Sequence, residues 1–157
     1  MKSFFSFLLV FSALSLRAQP SVQTALTGEE EEIKKVIEHL FNGMRKSDTG
    51  MLGAVFAPSA IMQTIVHKKD GAVVVRTDEV KSFINSVGKP HPEVLDERIQ
   101  FGHILIDANL ATVWTPYKFY IGNNFSHCGV NSFQLVKLNG SWKIQYIIDT
   151  RRKDACQ

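Results

Sequence analysis

The chain has 157 residues, 45% hydrophobic and 21% charged, which is enough to bury one core and excludes a low-complexity or disordered class. Two units of its formal +3 charge come from Lys2 and Arg17, near the start, and the remaining basicity gathers in the Arg151-Arg152-Lys153 tail, which argues against a nucleic-acid binder, since that needs a basic face. No apolar run of about 20 residues follows the first one, so no membrane span is expected in the mature form.

Lys2, the apolar stretch from Phe4 to Leu16 and the small residue Ala18 have the order of a secretory signal peptide. We therefore expect a leader over 1–18, cleavage near Ala18, and a periplasmic or secreted product. Residues 19–26 read as a mobile polar lead, 27–152 as one domain and 153–157 as a tail.

Thr27 and Glu30 have capping-box spacing and predict the start of a helix. Ile33, Val36, Ile37, Leu40, Phe41 and Met44 then recur on one helical face, leaving His39 outside it. Ser47-Asp48 caps a second, shorter helix, with Pro58 as its stop. Ala60 to His67 and Ala72 to Arg76 read as strands across a Lys68-Lys69-Asp70-Gly71 turn. Thr77 caps a third helix, Gly88 is its C′ residue, and Lys89-Pro90-His91-Pro92 is a rigid connector. A long strand from Val94 to Ile106 leads into the terminal sheet.

That sheet, from Leu110 to Arg152, contains both Trp, all three Tyr and the tight turns Gly122-Asn123-Asn124 and Asn139-Gly140. Asn-Gly between apolar runs signals a hairpin, because both turn residues tolerate φ > 0. With Asn139-Gly140 as a two-residue turn, Phe133, Leu135, Trp142, Ile144, Tyr146 and Ile148 share the inner face. The same parity carries His127, Asn131 and Thr150 inward at the far end and sends Asp149 and Arg151 outward. On the preceding strand, Ala111, Val113, Thr115, Tyr117 and Phe119 point in, while Trp114 and Tyr120 point out. Apolar walls with a few convergent polar groups are the make-up of a small-molecule pocket.

Several strings together resemble the nuclear transport factor 2-like superfamily: the short helix ending FAPSA, TDEVKSFINSVG, LATVWTPYKFY and the closing NSFQLVKLNGSWKIQYIID. Within it, FSHCGVNSFQLVK…WKI…IIDTRR most resembles small exported bacterial proteins of the lumazine-binding and SnoaL-like groups. The resemblance implies an α+β roll of cystatin-like type: a cone-shaped, curved antiparallel sheet wrapped around three helices. It also implies a homodimer through the outer sheet face, where Trp114 and Tyr120 lie. Relatives include ketosteroid isomerase-like and dehydratase-like enzymes as well as binders and association domains, so the fold alone leaves the activity open. Catalytic relatives use an acidic base inside the cone. Here Asp107 sits in a turn, and only one of the neighbours Asp96 and Glu97 can face in.

Ligand binding is the first expectation: a small, aromatic or apolar molecule held by Asn131, Tyr146, Phe119, Phe133, Trp142 and Thr150. The alternatives are an isomerase, dehydratase or hydrolase using His127 with Tyr117 or Glu97, and a non-catalytic dimerisation module. An imidazole titrating near neutrality suits proton transfer. His67, His91 and His103 have no metal-ligand spacing, and no phosphate loop or zinc signature occurs, so neither metal nor cofactor is expected. Cys128 and Cys156 are either a disulfide pinning the tail or two free thiols.

Overall fold

The computed structural model describes residues 22–156; the expected signal peptide over 1–18 lies outside them. Along these residues the elements are α1 (Val22–Lys46), α2 (Thr49–Val55), β1 (Phe56–His67), β2 (Val73–Asp78), α3 (Val80–Val87), β3 (Leu95–Ile99), β4 (Ile104–Asp107), β5 (Leu110–Ile121), β6 (Asn124–Leu138) and β7 (Ser141–Thr150). The strands form one sheet in the order β2-β1-β7-β6-β5-β3, and β4 also pairs with β5. The pairs are antiparallel except β1–β7, which is parallel.

The expected stripe on α1 is buried: Ile33, Ile37, Leu40, Phe41 and Met44 pack on Val113, Phe133, Leu135, Ile144 and Ile147 of the concave face. Each such fully buried side chain contributes about 1.5–3 kcal/mol. Phe41 meets Phe133 edge-on, with ring centroids 6.3 Å apart. His39 is exposed. The helix already includes Val22, earlier than expected, so Thr27 lies within it rather than capping it. Val22 to Leu26 contain neither Gly nor Pro, and nothing in the backbone stops the helix there.

Asp48 caps α2, accepting from the Met51 amide at 2.9 Å. The helix then passes directly into β1, and Pro58 lies inside the strand. There the pairing with β7 slips between Phe56 and Ile61, where no ladder N–H is asked of a proline. Thr77 belongs to β2 and accepts from Gln63 Nε2 at 3.0 Å, and Glu79 precedes α3 in its place. Gly88 ends α3 with φ −73°, so no left-handed residue closes that helix. The strand expected from Val94 to Ile106 is broken into β3 and β4. Its edge stays attached across the break, with Gln100 N donating to Pro116 O and Gly102 N to Trp114 O, both at 2.9 Å.

Asn139 (φ 50°) and Gly140 (φ 78°) form the two-residue turn, with Leu138 opposite Ser141 and Leu135 opposite Ile144. One step further the ladder shifts, and Gln134 pairs with Tyr146 rather than Phe133 doing so. The extra residue reverses the parity of β7 beyond Ile144. Ile147 is buried and Asp149 faces inward, whereas Tyr146 and Ile148 turn to the outer side. The inward assignment of Tyr146, Ile148 and Thr150, and the outward assignment of Asp149 and Arg151, are thereby overturned. Cys128 and Cys156 are joined in a disulfide with Cα atoms 5.8 Å apart. The bridge lies beside the antiparallel pairing of Cys128 with Arg152.

Candidate functional site

The helices do not fill the cone. A cavity of about 430 Å³ opens between the last turns of α1, the α3 helix and the end of the sheet away from the Asn139-Gly140 turn. Leu40, Phe41 and Met44 of α1, with Phe83 and Val87 of α3, form its apolar wall. Its polar side has Glu97 from β3, Tyr117 from β5, His127 and Asn131 from β6, Asp149 from β7 and Arg151 just beyond. Inward alternation delivers Tyr117 from β5 and His127 and Asn131 from β6. Between His127 and Asn131 the inward position is Gly129, whose absent side chain leaves room for the Tyr117 ring and the Thr150 carbonyl.

Asp149 organises one half of this polar side. Its carboxylate accepts from Thr64 Oγ1 at 2.6 Å, from the Tyr117 hydroxyl at 3.1 Å and from Arg151 Nε at 2.8 Å. The Tyr117 hydroxyl also lies 2.9 Å from the Thr150 carbonyl. Burial, and then the charges of Asp149 and Glu97, push the Tyr117 pKa far above the ordinary phenol range, so it stays a neutral donor. Asp149 is 8% exposed, while Arg151 opens to solvent at the rim.

Glu97 belongs to the other half. Its Oε1 accepts from Asn131 Nδ2 at 2.8 Å, and it has no other side-chain hydrogen bond among the described residues. Burial pushes its pKa up to about 7 against the pull of the Asn131 bond; Asp149 adds to the rise and Arg151 opposes it. Its neighbour Asp96 points away, bonded to Arg98 Nε at 2.7 Å and Arg45 Nη1 at 3.2 Å.

His127 stands edge-on to Tyr117, with centroids 5.7 Å apart, and tilted against Phe119 at 5.1 Å. Its Nδ1 lies 3.0 Å from Ser126 Oγ. Burial, then Arg151 and Lys153, hold the imidazole pKa below its ordinary value, with Asp149 opposing. The ring is therefore neutral at neutral pH. None of the hydrogen bonds of the described residues joins it to a carboxylate, so Glu97 rather than His127 is the group poised to exchange a proton in the cavity.

Of the residues expected at the site, His127, Tyr117, Glu97, Asn131 and Phe119 line the cavity. Four do not. Phe133 and Trp142 are core, 0% and 3% exposed, because α1 covers that part of the face. Tyr146 donates to Gln63 Oε1 at 2.6 Å from the outer side of the bulge. Thr150 Oγ1 accepts from the Val130 amide at 3.2 Å. Sequence reasoning missed Asp149, Arg151 and Thr64. A signal existed for the first two: Tyr146-Ile147-Ile148 is three apolar residues in a row, which leaves the phase of the alternation undetermined. On the outer face Trp114 is 47% exposed, while Tyr120 is covered by Phe125 and by Arg98, 4.1 Å above its ring. No group of three or more metal-ligating side chains clusters among the described residues.

A curved sheet wrapped around three helices, with a cavity at its open end, defines an NTF2-like α+β domain. Solved structures agree on the fold. One is an NTF2-like protein of unknown function from Shewanella baltica, 16% identical, with a TM-score of 0.65 over 82% of this chain and 97% of that one. Another is a domain of unknown function with a cystatin-like fold from Nostoc punctiforme, 13% identical, with a TM-score of 0.63 over 82% of this chain and 80% of that one. A third is a conserved protein from Planctomyces limnophilus, 15% identical, with a TM-score of 0.64 over 80% and 98%. The model of the family described as "Putative lumazine-binding" matches residues 28–146, and the chain belongs to that family. No curated protein matches it.

Proposed function

We propose that this is an exported domain that binds a small, largely apolar or aromatic molecule with a polar edge in the cone. The observation that carries the reading is the cavity of about 430 Å³, apolar on its helical side and lined by the Glu97–Asn131 pair on its sheet side. Export is supported by the leader-like order of Lys2, Phe4 to Leu16 and Ala18, and by a disulfide of the kind that persists in oxidising compartments.

Calorimetry and thermal unfolding with a panel of fused-ring compounds test the reading. A ligand at about 100 times its Kd adds about 2.7 kcal/mol, which raises Tm by several degrees. Ser86→Trp, at an exposed position of α3 that lines the cavity, fills it and abolishes that shift. Binding that survives the filled cavity overturns the proposal.

Assembly is a separate matter. Leu105, Leu110 and Trp114 are exposed apolar residues of the outer face, at 67%, 47% and 47%. Such a patch supports a homodimer through that face. Sedimentation of Trp114→Glu beside the parent tests it; equal masses remove the idea.

A further inference from the structure

We infer that the molecule taken by this cavity carries a protonated nitrogen, and that this nitrogen docks on Glu97. The inference rests on the binding role proposed above and assigns its ligand class.

Two of the cavity's carboxylates, Asp149 and Asp78, are matched by arginines. Asp149 is held by Arg151, Tyr117 and Thr64. Asp78 is held by Arg76, with Nη2 at 2.9 Å and Nε at 3.1 Å, and Glu79 accepts from Ser82 Oγ at 3.3 Å. Both cavity arginines are thus committed to carboxylates, and His127 is neutral. Of the two cavity carboxylates without a cation, Glu79 is exposed to solvent; Glu97 is the sheltered one, with only a neutral amide on Oε1, and its Oε2 accepts no side-chain hydrogen bond among the described residues.

This pattern discriminates between ligand charges. An anionic ligand meets two guanidinium groups already engaged and several carboxylates. A neutral ligand leaves Glu97 without a cation in a sheltered place. A protonated amine or heteroaromatic N–H⁺ gives Oε2 a charge-assisted hydrogen bond, stronger than a neutral one and stronger still away from bulk water. Phe119, paired with Glu97 across the β3–β5 ladder and lining the same cavity, offers an aromatic face beside the charge. The apolar wall of α1 and α3 covers the hydrocarbon part.

Groups on every element around Glu97 set its response to pH. Tyr117 approaches from β5 and Asn131 and His127 from β6, with Asp149 and Arg151 from the β7 end. On α1, Arg45 is spent on Asp96, Asn42 and the Glu97 carbonyl. The carboxyl has a pKa of about 7, so docking a cation at pH 6 requires it to lose a proton. Cation affinity then rises about tenfold per pH unit below that value and levels off above it.

The experiment compares 1-naphthylmethylamine, 1-naphthalenemethanol and 1-naphthoic acid by isothermal titration calorimetry on the purified protein. The amine is expected to bind about tenfold or more tightly than the alcohol, with the acid weakest. In Glu97→Gln the amine's advantage disappears. At pH 6 the amine alone shows a binding heat that changes with buffer ionisation enthalpy, the mark of a released proton. Equal affinity of amine and alcohol overturns the charge assignment while the binding role stands, as does an advantage that survives Glu97→Gln. Silence from all three overturns the binding role and the ligand class together.

Discussion

Asn131 and Asp149 face each other across the β6–β7 ladder, and both line the cavity. An unbroken register from Leu135–Ile144 would have set Asn131 against Ile148 and sent Asp149 to the convex side. One extra residue in β7 therefore decides whether the site contains the carboxylate that three different side chains share.

Asp149→Ala leaves the Thr64 and Tyr117 hydroxyls and the Arg151 guanidinium without their shared acceptor. Removing one partner from a buried ionic network costs about 3–5 kcal/mol, and the exposed side of Arg151 reduces that to about 2–4 kcal/mol here. Urea unfolding measures it. A loss below about 1 kcal/mol would show that the network is not formed in solution.

Glu97 gives stability a pH dependence opposite to that of a paired carboxylate. Its folded pKa of about 7 lies above the ordinary carboxylate value, so the folded state binds the extra proton. Stability is full below the ordinary range and declines as pH rises to 7, by at most about 3 kcal/mol. Glu97→Gln removes the decline, and the variant is the more stable protein at pH 8. Parallel stability profiles for the two from pH 4 to 8 would refute this.

The Cys128–Cys156 disulfide closes a span of 28 residues and anchors the segment after β7. Cys156→Ser costs about 3 kcal/mol if chain entropy governs. Arg151 sits next to the Cys128–Arg152 pairing, so hydrogen exchange at Arg152 N–H should quicken in the same variant. Unchanged exchange would mean that the strand holds the tail without the bridge.

Phe133 separates core from site. Phe133→Ala costs about 3–5 kcal/mol, because the ring is fully buried against Phe41. The folded variant keeps its ligand affinity at 10 °C by calorimetry. A selective loss of affinity would return Phe133 to the pocket wall.

The faces of α1 and the Asn139-Gly140 hairpin were legible in the sequence because each depends on a local rule: a 3.6-residue apolar period, and two residues that accept positive φ. The inward set of β5 and the site residues His127, Asn131 and Tyr117 followed from the same alternation. What only the tertiary structure decided lies where local rules stop. Side-chain parity has a period of two, so a single bulged residue beside Ile144 reverses everything after it and brings Asp149 and Arg151 inside. Thr64 reaches Asp149 only through the parallel β1–β7 pairing, and Glu97 reaches Asn131 only across β5, which lies between their strands; contacts between residues so far apart along the chain leave no mark in neighbouring residues.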